Sequence, residues 1–160
     1  MTSIQDNGIS AMSNSSLYER DFYAWANEQA ALLRSGRLSE ADIEHVAEEI
    51  ESMGKTEKRE LASRLTVLLL HLLKWQYQPG RRGASWQATI RVQRRDLAVH
   101  MTDNPSLKAI LPQTIDQAYG NAVIEAGAET GLLESAFPTV CPWTYDQITN
   151  QNFWPSEALP

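Results

Sequence analysis

The chain has 160 residues and a formal net charge of −6 at pH 7, with 42% hydrophobic and 21% charged residues. These proportions are ordinary for a globular protein, so they exclude disorder of the whole chain, and the length suits one domain. The longest apolar run, residues 67–75, is interrupted by His71 and Lys74. A membrane-spanning helix needs roughly 20 apolar residues, so no membrane partner is predicted.

The N-terminal segment, residues 1–15, is polar and rich in serine and asparagine. It has neither the basic region nor the apolar region of a signal peptide, and we expect a disordered tail followed by a single helical domain over residues 16–160. Cys141 is the only cysteine, so it cannot form a disulfide within the chain. A reducing, cytoplasmic location is therefore predicted.

Helical periodicity dominates the first part of the domain, and no segment alternates with period two. Ser16 and Glu19 match a capping box that opens a first helix, and Gly36 suits its end. A second helix is predicted from Ser39 to a break or kink at Gly54. Its apolar stripe follows a 3.6-residue spacing and comprises Ile43, Val46, Ala47, Ile50 and Met53.

The third predicted helix, about residues 58–77, is apolar on most sides and should therefore be central. A fourth helix is expected from Ser85, with its arginines facing outward, and a fifth from Asn104, interrupted near Pro112 and ending at Gly131. The sequence thus predicts an all-α fold: a single compact bundle of about five helices around the 58–77 helix, with an irregular C-terminal tail.

Charge is unevenly distributed along the chain. Residues 61–95 carry seven basic side chains and no acidic one, whereas residues 39–60 and 96–160 are strongly acidic. Either the acidic segments fold onto the basic one and neutralise it, or the basic segment forms a surface for phosphate or an acidic partner.

His71 and Lys74 lie three residues apart, so they share one face of the third helix. One interpretation makes this face the polar edge of a core helix. The other makes it a cleft completed by a carboxylate, for which Glu48 and Glu49 of the acidic second helix are the expected suppliers.

Arg81 and Arg82 occupy a turn that is flanked by Trp75 and Trp86. Arginine forks near a helix start favour phosphate, and aromatic side chains can stack on bases. Nucleic-acid or phosphate-ligand binding through residues 61–95, with Arg94 among the contributors, is therefore an alternative function.

The sequence contains no recognisable catalytic or metal-binding pattern. The three histidines are not spaced as the ligands of a metal site are, and the sequence has neither a nucleophile motif nor a glycine-rich phosphate-binding loop. We predict no catalytic residue, no metal and no cofactor. An enzyme with a cleft formed by His71, Lys74 and a glutamate is kept as a further alternative.

The chain contains the stretches "DFYAW", "LLLHLLKWQYQP" and "CPWTYDQITNQNFWP". With these stretches, residues 17–155 resemble one bacterial family, catalogued as domain of unknown function 29. It implies an all-helical bacterial protein, and it supplies no catalytic residue, cofactor or partner. The leading hypothesis is a non-enzymatic interaction protein that binds another protein or a second copy of itself, because catalytic motifs are missing and the segregated charge favours oriented association.

Overall fold

The computed structural model describes residues 17–156, and all regular structure in that range is helical. Residues 17–20 are helical, and they are followed by α1 (Phe22–Arg34), α2 (Ile43–Tyr77), α3 (Ala84–Asp103), α4 (Leu111–Thr130) and α5 (Tyr145–Thr149). The predicted all-α fold is confirmed. The predicted tail, residues 1–15, and the predicted cap at Ser16 lie outside the described residues. None of the helices described here combines the length and apolar character needed to cross a membrane.

The chain divides into two compact units, with the boundary between Lys55 and Thr56. We call residues 17–55 the N-terminal unit and residues 56–156 the C-terminal unit. Whether residues 16–160 form the single domain predicted from the sequence is not decided by this division, and the single domain stays a prediction.

Helix α1 begins and ends with local signals. The Asp21 carboxylate caps it by accepting a hydrogen bond from the Ala24 N–H at 3.0 Å. At the other end, Gly36 has a left-handed φ of +73°, and the Arg37 N–H donates back to the Leu32 carbonyl. This is the Schellman arrangement that the sequence predicted at Gly36.

Helix α2 corrects the prediction of two separate helices. It begins at Ile43, where the Asp42 carboxylate accepts from the His45 N–H, and it continues without a break through Gly54 to Tyr77. A glycine inside a helix costs about 1 kcal/mol relative to alanine, and the glutamates and lysines around Gly54 are good helix formers. The cost is therefore small enough for the helix to continue.

The core of the C-terminal unit lies along the second half of α2. Its leucines are fully or almost fully buried: Leu61, Leu65, Leu68, Leu69, Leu70, Leu72 and Leu73. Ile90 and Leu97 of α3 and Ala118 and Ala122 of α4 belong to the same cluster. The central position predicted for residues 58–77 is therefore correct within this unit.

Proline and glycine set the remaining boundaries. Residues Pro105–Ile110 form a 3₁₀ segment, and α4 restarts at Leu111 with Pro112 in its first turn, as the sequence predicted. Gly131 closes α4 with a φ of +75°. Thr144 and Gln147 form a capping box at α5. Trp143 and Trp154 of the C-terminal tail pack against the core.

Candidate functional site

Lys74 is neutralised inside the C-terminal unit. Its Nζ lies 2.6 Å from Glu129 Oε2 on α4 and 4.7 Å from the centre of the Trp86 ring. The carboxylate that faces Lys74 is thus Glu129, and neither Glu48 nor Glu49 takes that place. Internal neutralisation, one of the two interpretations of the basic segment, holds for this lysine.

His71 is half-buried on the same face of α2. Its Nδ1 donates to the Val67 carbonyl at 2.8 Å, which fixes the proton on that nitrogen. Burial lowers the pKa of His71 below its ordinary value, so the imidazole is neutral at pH 7. The histidine therefore contributes a satisfied polar contact to the edge of the core helix.

The turn after α2 uses one of its two arginines structurally. Arg82 Nε donates to the Trp75 carbonyl at 2.6 Å, and the guanidinium lies 5.3 Å from the centre of the Trp75 ring. Arg81 remains exposed. Trp75 also packs on Trp154, with ring centres 4.6 Å apart, so this indole supports the fold of the tail.

Arg94 corrects the prediction that the arginines of α3 face outward. Only 1% of its surface is exposed. Its guanidinium donates to the Ile148 carbonyl at 2.7 Å and to the Phe153 carbonyl at 2.8 Å, and it lies over the Trp154 ring. Burial lowers its pKa to about 10. The residue anchors the C-terminal tail and is not available to a nucleic acid.

The N-terminal unit contains a polar and aromatic network. Asp42 accepts from the Trp25 indole at 3.1 Å and lies 2.7 Å from His45 Nδ1. Tyr18 stacks on His45 and donates to Glu49, and this hydrogen bond raises the pKa of Tyr18 to about 12. Glu49 is therefore a structural acceptor within this unit.

Two parallel ridges lie next to each other on the first three turns of α2, and all their side chains are exposed. The apolar ridge comprises Ile43, Ala47 and Ile50, and Met53 extends it. The acidic ridge comprises Glu44, Glu48 and Glu51, at the same i, i+4, i+7 spacing shifted by one residue. No cation of the described residues lies within ion-pair distance of these three glutamates.

A cluster of two glutamates and one histidine lies on the C-terminal unit. His100 Nδ1 is 3.6 Å from Glu57 Oε2 and 4.0 Å from Glu60 Oε2. His100 Nε2 donates to the Glu57 carbonyl at 2.9 Å, so this nitrogen carries a proton. The three side chains could hold a metal ion, since their ligand atoms all lie within 4.8 Å of one another.

The cluster lies in an open groove of about 660 Å³ between α2 and α3. Four carboxylates and two guanidinium groups line the groove, which leaves an excess of two negative charges around His100. Arg64 donates to Glu60 Oε1 and to Asp96, so the other oxygen of Glu60 is the one that faces His100. The Arg64 hydrogen bond lowers the pKa of Glu60, which is ionised at neutral pH.

The spacing of residues along the sequence does not reveal this cluster, and the reason is physical. Glu57 and Glu60 lie three residues apart on one helix, but their third partner comes 40 residues later on another helix. Ligand motifs are recognised by local spacing, and this spacing is set by the packing of α2 on α3. The only local signal is the Glu57–Glu60 pair itself.

Comparison with known proteins places the chain in a family. The model described as "Domain of unknown function DUF29" matches residues 17–154, which is most of the chain. No curated protein and no solved structure matches. The bundle, the groove and the exposed ridges are thus features of a protein that belongs to the DUF29 family.

Proposed function

We propose that this protein is a non-enzymatic interaction module, and that its N-terminal unit binds a helix of another protein. The observation that carries the proposal is the pair of exposed ridges on residues 43–53 of α2. An apolar ridge beside an acidic ridge is complementary to an amphipathic helix that is apolar on one side and basic along its flank.

The apolar ridge offers binding energy that the isolated fold does not use. Ile43, Ile50 and Met53 are 54%, 63% and 69% exposed. Fully burying one large apolar side chain is worth about 1.5–3 kcal/mol, so a partner that covers this ridge gains several such contributions before the costs of association. Phe22 and Leu33 of α1 are also exposed, at 50% and 40%, and add to the apolar surface of the unit.

The charge of the unit selects the partner. Residues 17–55 contain nine acidic and four basic side chains, a net charge of −5. A second copy that docked through the same face would place like charges together, which is unfavourable. A basic helix instead pairs with Glu44, Glu48 and Glu51, and this attraction weakens as salt screens it.

Two synthetic helical peptides test this proposal. Both carry the same apolar face, and one has lysines beside it where the other has glutamates. Fluorescence anisotropy should show that the lysine peptide binds the full-length protein, more weakly at high salt, and that the glutamate peptide does not bind. Ile50→Ser should lower the affinity at least about tenfold, since 1.4 kcal/mol corresponds to a factor of ten.

Val140→Ser is the matched control, because Val140 is 69% exposed, close to the 63% of Ile50, but lies in the C-terminal unit. Equal binding of the lysine peptide by Ile50→Ser and by the unchanged protein would refute the proposal. A dimer that sediments as such and that Ile50→Ser dissociates would identify a second copy as the occupant, which would overturn the choice of a basic partner.

The other functions stay predictions. Nucleic-acid binding now rests on Arg81, Arg91 and Arg95, which are exposed, because Arg82 and Arg94 are engaged within the fold. An enzyme built on His71 and Lys74 would need the ion pair between Lys74 and Glu129 to open.

We also propose a cytoplasmic location, which the free Cys141 supports because reducing compartments preserve thiols.

A further inference from the structure

The groove between α2 and α3 contains a histidine in an unusual environment. His100 is 93% buried, since only 7% of it is exposed. Its protonated Nε2 is satisfied by the Glu57 carbonyl, but Nδ1 makes no hydrogen bond to any described residue and points at two carboxylates. In the neutral imidazole, Nδ1 carries a lone pair, and a lone pair facing two anions is repulsive unless a cation lies between them.

We propose that Glu57, Glu60 and His100 bind a divalent transition-metal ion of the zinc class. Histidines that bind metals usually donate the N–H of one ring nitrogen to a backbone carbonyl or carboxylate and bind the metal with the other nitrogen. His100 has this arrangement, because Nε2 donates to a backbone carbonyl and Nδ1 is left for a ligand. The hydrogen bond from His100 Nε2 to Glu57 therefore orients the ligand nitrogen, and the same segment of α2 supplies both carboxylates.

The distances suit this ion. Zinc binds imidazole nitrogen and carboxylate oxygen at about 2.0–2.2 Å, so two ligand atoms of a tetrahedral site lie about 3.4 Å apart. His100 Nδ1 lies 3.6 Å and 4.0 Å from the two glutamate oxygens. The Glu57 and Glu60 side chains are 43% and 40% exposed, so small rotations can bring them to the bonding distance.

The ligand set distinguishes zinc-class ions from magnesium and calcium. Mg²⁺ and Ca²⁺ prefer shells made of oxygen, whereas an imidazole ligand favours zinc and its neighbours in the first transition row. Three protein ligands leave a fourth position open toward the groove, where a water molecule can complete the shell. Arg64 acts as a positioning residue, because its hydrogen bonds hold Glu60 Oε1 and leave Oε2 for the metal.

Calorimetric titration of the chelator-treated full-length protein with Zn²⁺ tests the proposal. We expect one ion per chain, with Mg²⁺ and Ca²⁺ binding more weakly. Loss of a residue that only hydrogen-bonds to a metal ligand typically weakens metal binding about 10–100-fold. Glu57→Gln and Glu60→Gln each remove a direct ligand, so each should weaken Zn²⁺ binding by at least this factor. Both positions are substantially exposed, so these variants should fold. Glu125→Gln, at an exposed glutamate of α4 that belongs neither to the cluster nor to the ridges, should bind Zn²⁺ as the unchanged protein does.

Three results would overturn the inference. The first is the absence of Zn²⁺ binding by the unchanged protein. The second is unchanged binding by Glu57→Gln and Glu60→Gln, which would place the ion at another group such as His45 or Cys141. The third is tighter binding of Mg²⁺ or Ca²⁺ than of Zn²⁺. None of these results bears on the peptide-binding proposal, because the cluster and the exposed ridges share no residue.

Discussion

The contrast between the two halves of α2 can be tested by truncating one apolar side chain in each. Leu72 is fully buried in the core of the C-terminal unit. Leu72→Ala removes three carbons, and at about 0.8 kcal/mol for each the transfer term is roughly 2.4 kcal/mol. The cavity left behind adds to this value, so a total loss of about 2–5 kcal/mol is expected.

Ile50 lies on the apolar ridge and is 63% exposed. Ile50→Ala also removes three carbons, but only about a third of their surface leaves water on folding, and no closed cavity forms. The expected loss in the free energy of unfolding is therefore about 1 kcal/mol or less. The two substitutions on one helix should differ in their effect at least twofold.

The measurement is urea unfolding of the full-length variants, followed by far-ultraviolet circular dichroism. An effect of 1 kcal/mol shifts the melting temperature of a protein of this size by about 2–4 °C, so thermal melting gives an independent check. A loss of 2 kcal/mol or more for Ile50→Ala would show that the ridge is covered in the folded protein. The docking surface would then not exist in the proposed form.

Two further predictions concern Arg94 and His45. Arg94→Lys keeps the charge but loses the forked guanidinium that donates to the Ile148 and Phe153 carbonyls. The free energy of unfolding should therefore fall by about 1.5–3 kcal/mol, and amide hydrogen exchange should accelerate over residues 145–154. Unchanged protection of these residues from exchange would contradict the anchoring role of Arg94. The hydrogen bond to Asp42 raises the pKa of His45, so its contribution to stability is fully present below about pH 6.5 and is lost as the pH rises through the raised pKa. The protection of residues 17–55 from amide hydrogen exchange, corrected for the intrinsic exchange rate, should therefore decrease as the pH rises from about 6.5 through the raised pKa of His45. His45→Gln should abolish this pH dependence. Protection that does not change with pH in the unchanged protein would refute the role of the His45–Asp42 pair.

Local signals in the sequence predicted local structure well. The ends of α1 at Gly36 and of α4 at Gly131 follow from short-range steric and hydrogen-bonding rules, which act within a few residues. The failure at Gly54 has a local cause as well. A single glycine weakens a helix by an amount that its neighbours can offset, so its presence does not decide between a break and a continuous helix.

Burial of charged side chains was the least predictable property. The outward orientation expected for Arg94 was wrong, because the tail brings the Ile148 and Phe153 carbonyls, 54 and 59 residues away, to the guanidinium. Without such acceptors the burial of an arginine would be costly, so hydrophobic periodicity assigns an arginine to the surface by default.

The sequence by itself determined that the protein is all-helical and that the leucines of residues 61–73 form its core, since both follow from the spacing of apolar side chains along a helix. Only the tertiary structure decided which charges meet, because ion pairs such as Lys74 with Glu129 and the cluster of Glu57, Glu60 and His100 join different helices. Periodicity tells which face of a helix is apolar. Which polar group lies opposite another depends on how two helices pack, and that information is distributed over the whole core.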